Sequence, residues 1–464
     1  MIAAPTATSL DPLGRRFLWS SIYLGVAVAL VACGAVAFRS LTIGSVPGNW
    51  YYPYGPPATL RLAAAWLLYS AACAALVTAG WQLAERYRPL SIVLAWIVVA
   101  MALQWGLRAI APYPVEAILL SDRANSFYSV AQAYDPAQVL RSFNRVRRNA
   151  PLHVQSNMPG KLLLIDGIQG ITKRTDVLPW ILIGISSLGA LLLYGFVREV
   201  FDDERVALAS AALYLFLPAR TFFFPLMNTV TPVVTFACAW LLARWVSTGK
   251  TAYALFMGMG LYGLAFFEPL PFVLGLFFLA LALLAVLRGS ITWDRFTAQA
   301  LALIAVFIGV AELVNLLSGF DIVRAFRSIG GHATEFNRSA ERPYGLWVAA
   351  NLREFAFGMG ICQVVVFSGA LLHALRQPGN WRERFSHPLS AICLGLSAVL
   401  LAVDVIGMNR GEVIRLWIFL GSFFQIPVAY VCSSLNSRLA LVLVVAVTAL
   451  QTAIGLSMIN FVIP

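Results

Sequence analysis

Charge is what this chain has least of. Only 12% of its 464 residues are Asp, Glu, Lys or Arg, and 60% are hydrophobic. A soluble globular domain carries about a quarter charged residues, so the composition excludes one and reads as an all-α, polytopic membrane protein. Histidine is scarcer still: four, with no paired spacing, argue against a built-in zinc site. The six cysteines (Cys33, Cys73, Cys238, Cys362, Cys393 and Cys432) all fall in apolar runs without CxxC spacing. They read as small core residues and not as a disulfide frame or metal site. Acids are the minority sign, leaving a net charge of +12. In so apolar a chain that balance points to membrane lipids and phosphate-bearing headgroups as partners, with no nucleic acid.

Long apolar runs are abundant. A span takes about 20 apolar residues, and on that rule spans fall near 17–38, 60–81, 90–111, 177–197, 206–220, 230–247, 252–267, 270–288, 298–317, 346–374, 389–406, 415–433 and 439–462. That makes about thirteen spans, with 206–220 and 252–267 the shortest. Leu30-Val31-Ala32-Cys33 resembles a lipoprotein cleavage box, but the apolar run continues past it, so the first segment reads as an uncleaved span. The basic residues Arg15-Arg16, Arg86/Arg88, Arg198/Arg205, Lys250, Arg288/Arg295, Arg376/Arg382/Arg384 and Arg438 share one side if the N-terminus is cytoplasmic. The expected setting is then a multi-pass protein of the bacterial inner membrane, with its active face outward.

That outer face carries 112–176, the longest stretch unsuited to lipid, with eight Lys/Arg against five acids. Within it Ser121-Asp122-Arg123-Ala124-Asn125-Ser126-Phe127-Tyr128 follows the third span closely. Asp122 there has three readings: a general base, an oxygen ligand for a divalent cation, or part of a helix N-cap. The cluster Arg141, Arg145, Arg147 and Arg148 reads as a lipid-phosphate contact or a solvated basic face. Residues 161–172 are apolar but too short to span, and are expected to lie as an amphipathic segment at the interface. The loop Pro47 to Pro57, rich in Tyr and Pro, reads as an aromatic belt or a sugar-stacking lid.

Other polar groups mark span ends on the same side: Asn228, Glu268, and the stretch from Glu341 to Glu354 with Arg342, Tyr344, Arg353 and Glu354. Arg353 and Glu354 are expected to pair with each other. Asn409-Arg410-Gly411-Glu412-Val413-Ile414-Arg415 opens a span, with Glu412 and Arg415 on one helix face. Two outward arginines there suit a phosphate, or form an interfacial ion pair with Glu412. Glu312 and Asp404 are the few charges inside spans, both toward the outer half.

The order of an Asp-bearing outer loop, a turn like His-Pro-Pro-Gly, Arg342-Pro343-Tyr344 with Trp347, Asn351-Leu352 with Glu354-Phe355, and Arg410-Gly411-Glu412-Val413 with Arg415-Leu416-Trp417 resembles the GT-C superfamily of integral-membrane glycosyltransferases. It is most similar to bacterial relatives of dolichyl-phosphate-mannose protein mannosyltransferases and of aminoarabinose transferases, over 90–430. The likeness implies a GT-C-like core at 90–430 with outer loops 112–176 and 318–345, an added N-terminal tail and hairpin at 1–89, and a last helix in 431–464. It implies Asp122 as the catalytic base and Arg410 and Arg415, with Arg342 and Lys161, as ligands of the donor phosphate. Arg123, Tyr128, His153, Asn157, Asn228, Glu268, Tyr344 and Glu412 would bind substrate or support the site. A divalent cation, Mg or Mn, is the implied cofactor. Two positions depart from the pattern: Asn157-Met158-Pro159-Gly160 replaces His-Pro-Pro-Gly, and Asn228 stands where an acid is expected.

The expected function is transfer of a sugar from a polyprenyl-phosphate-linked donor to an outward-facing envelope glycan or lipid. The alternatives are a transporter or flippase of lipid-linked sugars, and a catalytically altered relative acting as an assembly subunit.

Overall fold

The structure, a computed structural model, describes residues 11–377 and 379–464. The expected cytoplasmic tail before Asp11 lies outside the described residues. Helix dominates, with one two-stranded sheet pairing Gly44–Ser45 to Trp50–Tyr51. Among the described residues nine helices are long and apolar enough to cross a membrane, or ten if one bent pair counts as a span. The chain is therefore a multi-pass membrane protein. Every apolar segment read from the sequence falls on a helix. The shortfall from about thirteen spans lies in short ones, Glu204–Leu215, Thr251–Phe267 and Ile418–Ser434.

Helix starts follow local chemistry. Asp11, Thr59, Asp203 and Asp321 each accept a backbone N–H at the helix they open. Proline occupies the first turn of Pro12–Ala37, Pro89–Leu107 and Pro388–Ile406, where no helical N–H is needed.

The segment read as a single span at 346–374 is two helices, Tyr344–Met359 and Ile361–Leu375, meeting at 104°. Gly360 lies between them at φ +103°, a conformation that admits glycine and little else. The break frees backbone groups that lipid cannot satisfy. Gln451 answers both needs: its side chain accepts from Ile361 N at 2.9 Å and donates to the Phe357 carbonyl at 2.8 Å.

Gln451 belongs to Arg438–Met458, the helix on which both N-terminal spans pack. Leu60–Leu83 makes its main contacts with it, and Pro12–Ala37 packs along it and more extensively along Ile361–Leu375. The segments expected at the two chain ends thus form one packing unit.

At one end of the helices, short basic loops meet: Arg438 pairs with Glu85 at 2.6 Å, Arg205 donates to Asn436 Oδ1 at 2.6 Å, and Arg288 donates to the Ser386 carbonyl at 2.8 Å. At the other end, residues 112–176 fold into seven short helices over a second apolar core. It joins Phe127, Phe143 and Ile165 to Leu182, Tyr262 and Phe320. The last of the seven, Pro159–Ile171, is amphipathic as expected. It is not loosely laid on a surface: Gly160, Lys161, Leu162 and Ile165 are buried against Phe127–Ala133 and Thr251–Phe267.

Candidate functional site

Two strands of hydrogen bonding build the site at that end. The first starts in 112–176. Ser121 is the helix cap, accepting from Ala124 N at 3.0 Å, which turns Asp122 outward in the first turn. Asp122 is exposed and accepts from the Ser129 hydroxyl. His153 Nε2 lies 2.7 Å from the Arg123 carbonyl, which can only accept, so Nε2 carries the ring proton. Asn157 donates to the His153 carbonyl at 2.8 Å and accepts from Lys161 Nζ at 2.8 Å. Lys161 is fully buried and reaches Glu268 Oε2 at 2.8 Å. Glu268 also accepts from the Thr231 hydroxyl and from Asn228 Nδ2 at 3.4 Å.

The two residues that depart from the GT-C pattern therefore flank one buried ion pair. Asn157 and Asn228 supply neutral partners to Lys161 and Glu268; an acid at 228 would set a second negative charge beside Glu268 in a dry setting. Burial lowers the Lys161 pKa, and Glu268 opposes that shift.

The second strand holds the loop 407–412. Asn351 donates to the Asn409 carbonyl at 2.9 Å and accepts from Gly411 N at 3.1 Å, while Glu354 accepts from Val413 N at 2.9 Å. Glu354 does not pair with Arg353, contrary to expectation. Arg353 donates to the Gly44 carbonyl at 2.8 Å instead. Consecutive helical residues point in different directions, so adjacency in sequence makes them poor partners. Asn351 and Glu354, which the sequence motif contains without a role attached, are structural keys to the loop.

Arg342 and Arg410 each donate to the other's backbone carbonyl, at 2.5 and 2.7 Å. Arg342 sits over the Trp50 and Phe336 rings at 4.9 and 5.1 Å, so the aromatic loop 47–57 supports this arginine from behind. Burial lowers the Arg342 pKa, against the raising pull of Glu412. Tyr344 supports Arg410 from 5.4 Å and donates to the Val405 carbonyl at 2.6 Å. Glu412 bonds Arg415 and lies 3.7 Å from Arg342. It takes a left-handed backbone (φ 61°), an unfavourable conformation for glutamate that persists only where surroundings enforce it.

Between the two strands is a cavity of about 480 Å³. His153, Asn157, Asn228, Glu268, Arg342, Arg410, Glu412 and Arg415 all line it. The structure thus brings together eight of the expected site residues, drawn from five separate stretches of chain. Lys161 stands directly behind the wall. Asp122, Arg123, Tyr128 and Tyr344 do not line it, although Ala124 and Asn125 beside Asp122 do. Tyr128 is buried and accepts from Gln132 at 3.1 Å. Asn125, Asn337 and Asn409 line the cavity and were not expected to.

The cavity is two-sided. Around its polar end, Lys161, Arg342, Arg410 and Arg415 outnumber Glu268 and Glu412. The buried Nε atoms of Arg342 and Arg415 have no partner among the described residues. His153 does not add to the charge: burial first, then Arg415, holds its pKa down at about 4. The other side is apolar, with Phe272, Phe326 and Ile406 in the wall. Those three are 39%, 51% and 59% exposed, so the apolar wall runs out onto the surface of the helices.

Two other expectations resolve locally. Arg147 is buried and donates to the Ser328 carbonyl at 3.3 Å, tying 112–176 to Ile322–Ser339, whereas Arg141, Arg145 and Arg148 are exposed. Among the described residues no three His, Cys, Asp or Glu side chains gather to hold a metal ion. Asp122, the expected ligand, accepts from the Ser129 hydroxyl. Compared with known proteins, the sequence matches no family model and no curated protein.

Proposed function

We propose that this protein is a membrane glycosyltransferase of GT-C type that moves a sugar from a polyprenyl-phosphate carrier onto an envelope glycan or lipid. The two-sided cavity carries this reading. An excess of cations at one end suits a phosphate, and an apolar wall continuous with the helix surface suits an isoprenoid chain lying in the bilayer. A free sugar phosphate would not need the apolar side; a plain lipid would not need the arginines.

In this reading the short basic loops face the cytoplasm of a bacterial inner membrane and the cavity opens outward. Arg410 and Arg415 hold the donor phosphate and stabilise the charge that develops as it leaves. The acceptor hydroxyl attacks the anomeric carbon from the opposite face, inverting it. Asn125, Asn157 and Asn228 offer neutral hydrogen bonds to sugar hydroxyls.

The test uses protein in nanodiscs with radiolabelled polyprenyl-phosphate sugars and a cell-envelope acceptor fraction. Label leaving the lipid for the acceptor supports the transferase. Intact labelled lipid crossing the bilayer of proteoliposomes identifies a transporter instead. Binding of lipid with neither outcome identifies an assembly subunit.

A further inference from the structure

We propose that His153 is the general base of the transfer, taking the acceptor's hydroxyl proton on its Nδ1; the assignment rests on the glycosyltransferase reading above.

Three groups able to accept a proton line the cavity: Glu268, Glu412 and His153. Both carboxylates are committed. Glu268 is held by Lys161, Thr231 and Asn228, and Glu412 by Arg415 and Arg342. Asp122, the expected base, does not line the cavity.

His153 differs. Its Nε2–H is fixed on the Arg123 carbonyl, so the neutral ring must present an unprotonated Nδ1. Nδ1 is neither bonded to the protein nor sealed from solvent among the described residues. A backbone carbonyl here performs the orienting task that a carboxylate performs behind many catalytic histidines. The ring also reaches the phosphate-binding group, with Arg415 Nη1 at 3.5 Å from Nε2. A proton acceptor and the leaving-group cation thus stand on one wall.

The step balances. The hydroxyl proton passes to Nδ1 as its oxygen bonds to the anomeric carbon. The bond from that carbon to the phosphate oxygen breaks, and its electron pair leaves on the polyprenyl phosphate beside Arg410 and Arg415. The imidazolium then returns its proton to water.

Of the charged groups around the ring, Arg415 and Lys161 disfavour the protonated form and Glu412 favours it. Donor phosphate bound at Arg415 cancels part of the opposing charge, so the base strengthens when the donor is in place.

The experiment compares His153→Gln with wild type in nanodiscs. Glutamine retains an N–H for the Arg123 carbonyl and offers no basic nitrogen. Transfer is expected to fall about 10²–10⁴-fold, with donor affinity within about threefold of wild type. Imidazole is expected to restore part of the activity of His153→Ala. On wild-type protein with ¹⁵N-labelled histidine, the His153 signal is expected to show a protonated Nε2 and a bare Nδ1. Transfer by His153→Gln within about threefold of wild type overturns the assignment. So does a bare Nε2, or His153→Ala that imidazole leaves inactive. Wild-type protein that binds donors and transfers none overturns the glycosyltransferase reading, and the base role falls with it.

Discussion

Lys161 and Glu268 form a buried ion pair, Nζ to Oε2 at 2.8 Å, between a short helix of the 112–176 segment and a span end more than a hundred residues away. Breaking such a pair strands one charge in a dry setting, at a cost of about 3–5 kcal/mol. Lys161→Met and Glu268→Gln are each expected to lower the thermal unfolding midpoint in nanodiscs. The double variant is expected to recover much of that loss, because no lone charge remains. Strictly additive losses would show that the two side chains act independently.

That pair also marks where sequence reading stopped. Spans were legible because each needs a long apolar run, and polar residues at Asn228, Glu268, Arg342 and Arg410 were legible as one face because spans alternate direction. Their partners were not. Lys161 looked like a phosphate ligand because its charge is visible in sequence and its salt bridge is not. For Asp122 the sequence leaves a base, a cation ligand and a helix cap open, because a four-residue helix has no periodicity to show which way the carboxylate points; the cap is taken by Ser121. The bend at Gly360 was hidden inside a continuous apolar run, since hydropathy does not record direction.

Arg415 carries an unpartnered Nε beside the cavity and a lone ion pair to Glu412. Arg415→Gln is expected to weaken binding of a polyprenyl phosphate about 10- to 100-fold, the scale of one or two charge-assisted hydrogen bonds. Binding of an uncharged polyprenol should change little. Equal loss for both lipids in a scintillation proximity assay would place the phosphate elsewhere.

Gly411 sits at φ +83°, and a Cβ there would lie 2.9 Å from both the Trp347 and Trp50 rings. Gly411→Ala is expected to displace the loop that presents Arg410 and Glu412, lowering stability by about 1–3 kcal/mol. Donor affinity should fall with it. Unchanged melting and affinity would mean that the loop accommodates the methyl group and that its close packing is not needed.

His153 gives the protein an acid sensitivity of defined sign. Its folded pKa of about 4 lies below the usual value near 6.5. Above pH 6.5 neither state is protonated there and the residue contributes nothing to the pH dependence. Between 6.5 and 4 the unfolded chain takes up a proton that the folded protein does not, so stability falls as pH falls, by at most about 3 kcal/mol. The unfolding midpoint of His153→Gln is therefore expected to drop less than wild type across that window. Parallel curves would show that the ring is not held neutral by the fold.

The central claim is that one cavity takes a lipid phosphate at its arginines and the lipid chain along its apolar wall. A polyprenyl phosphate carrying a diazirine on its first isoprene units tests this most directly, by photolysis in nanodiscs and mass spectrometry of the adducts. The account predicts labelling at Phe272, Phe326 and Ile406, suppressed by excess unlabelled polyprenyl phosphate and weakened by Arg415→Gln. Labelling spread over the outer helix surfaces, indifferent to both competitor and substitution, would contradict it.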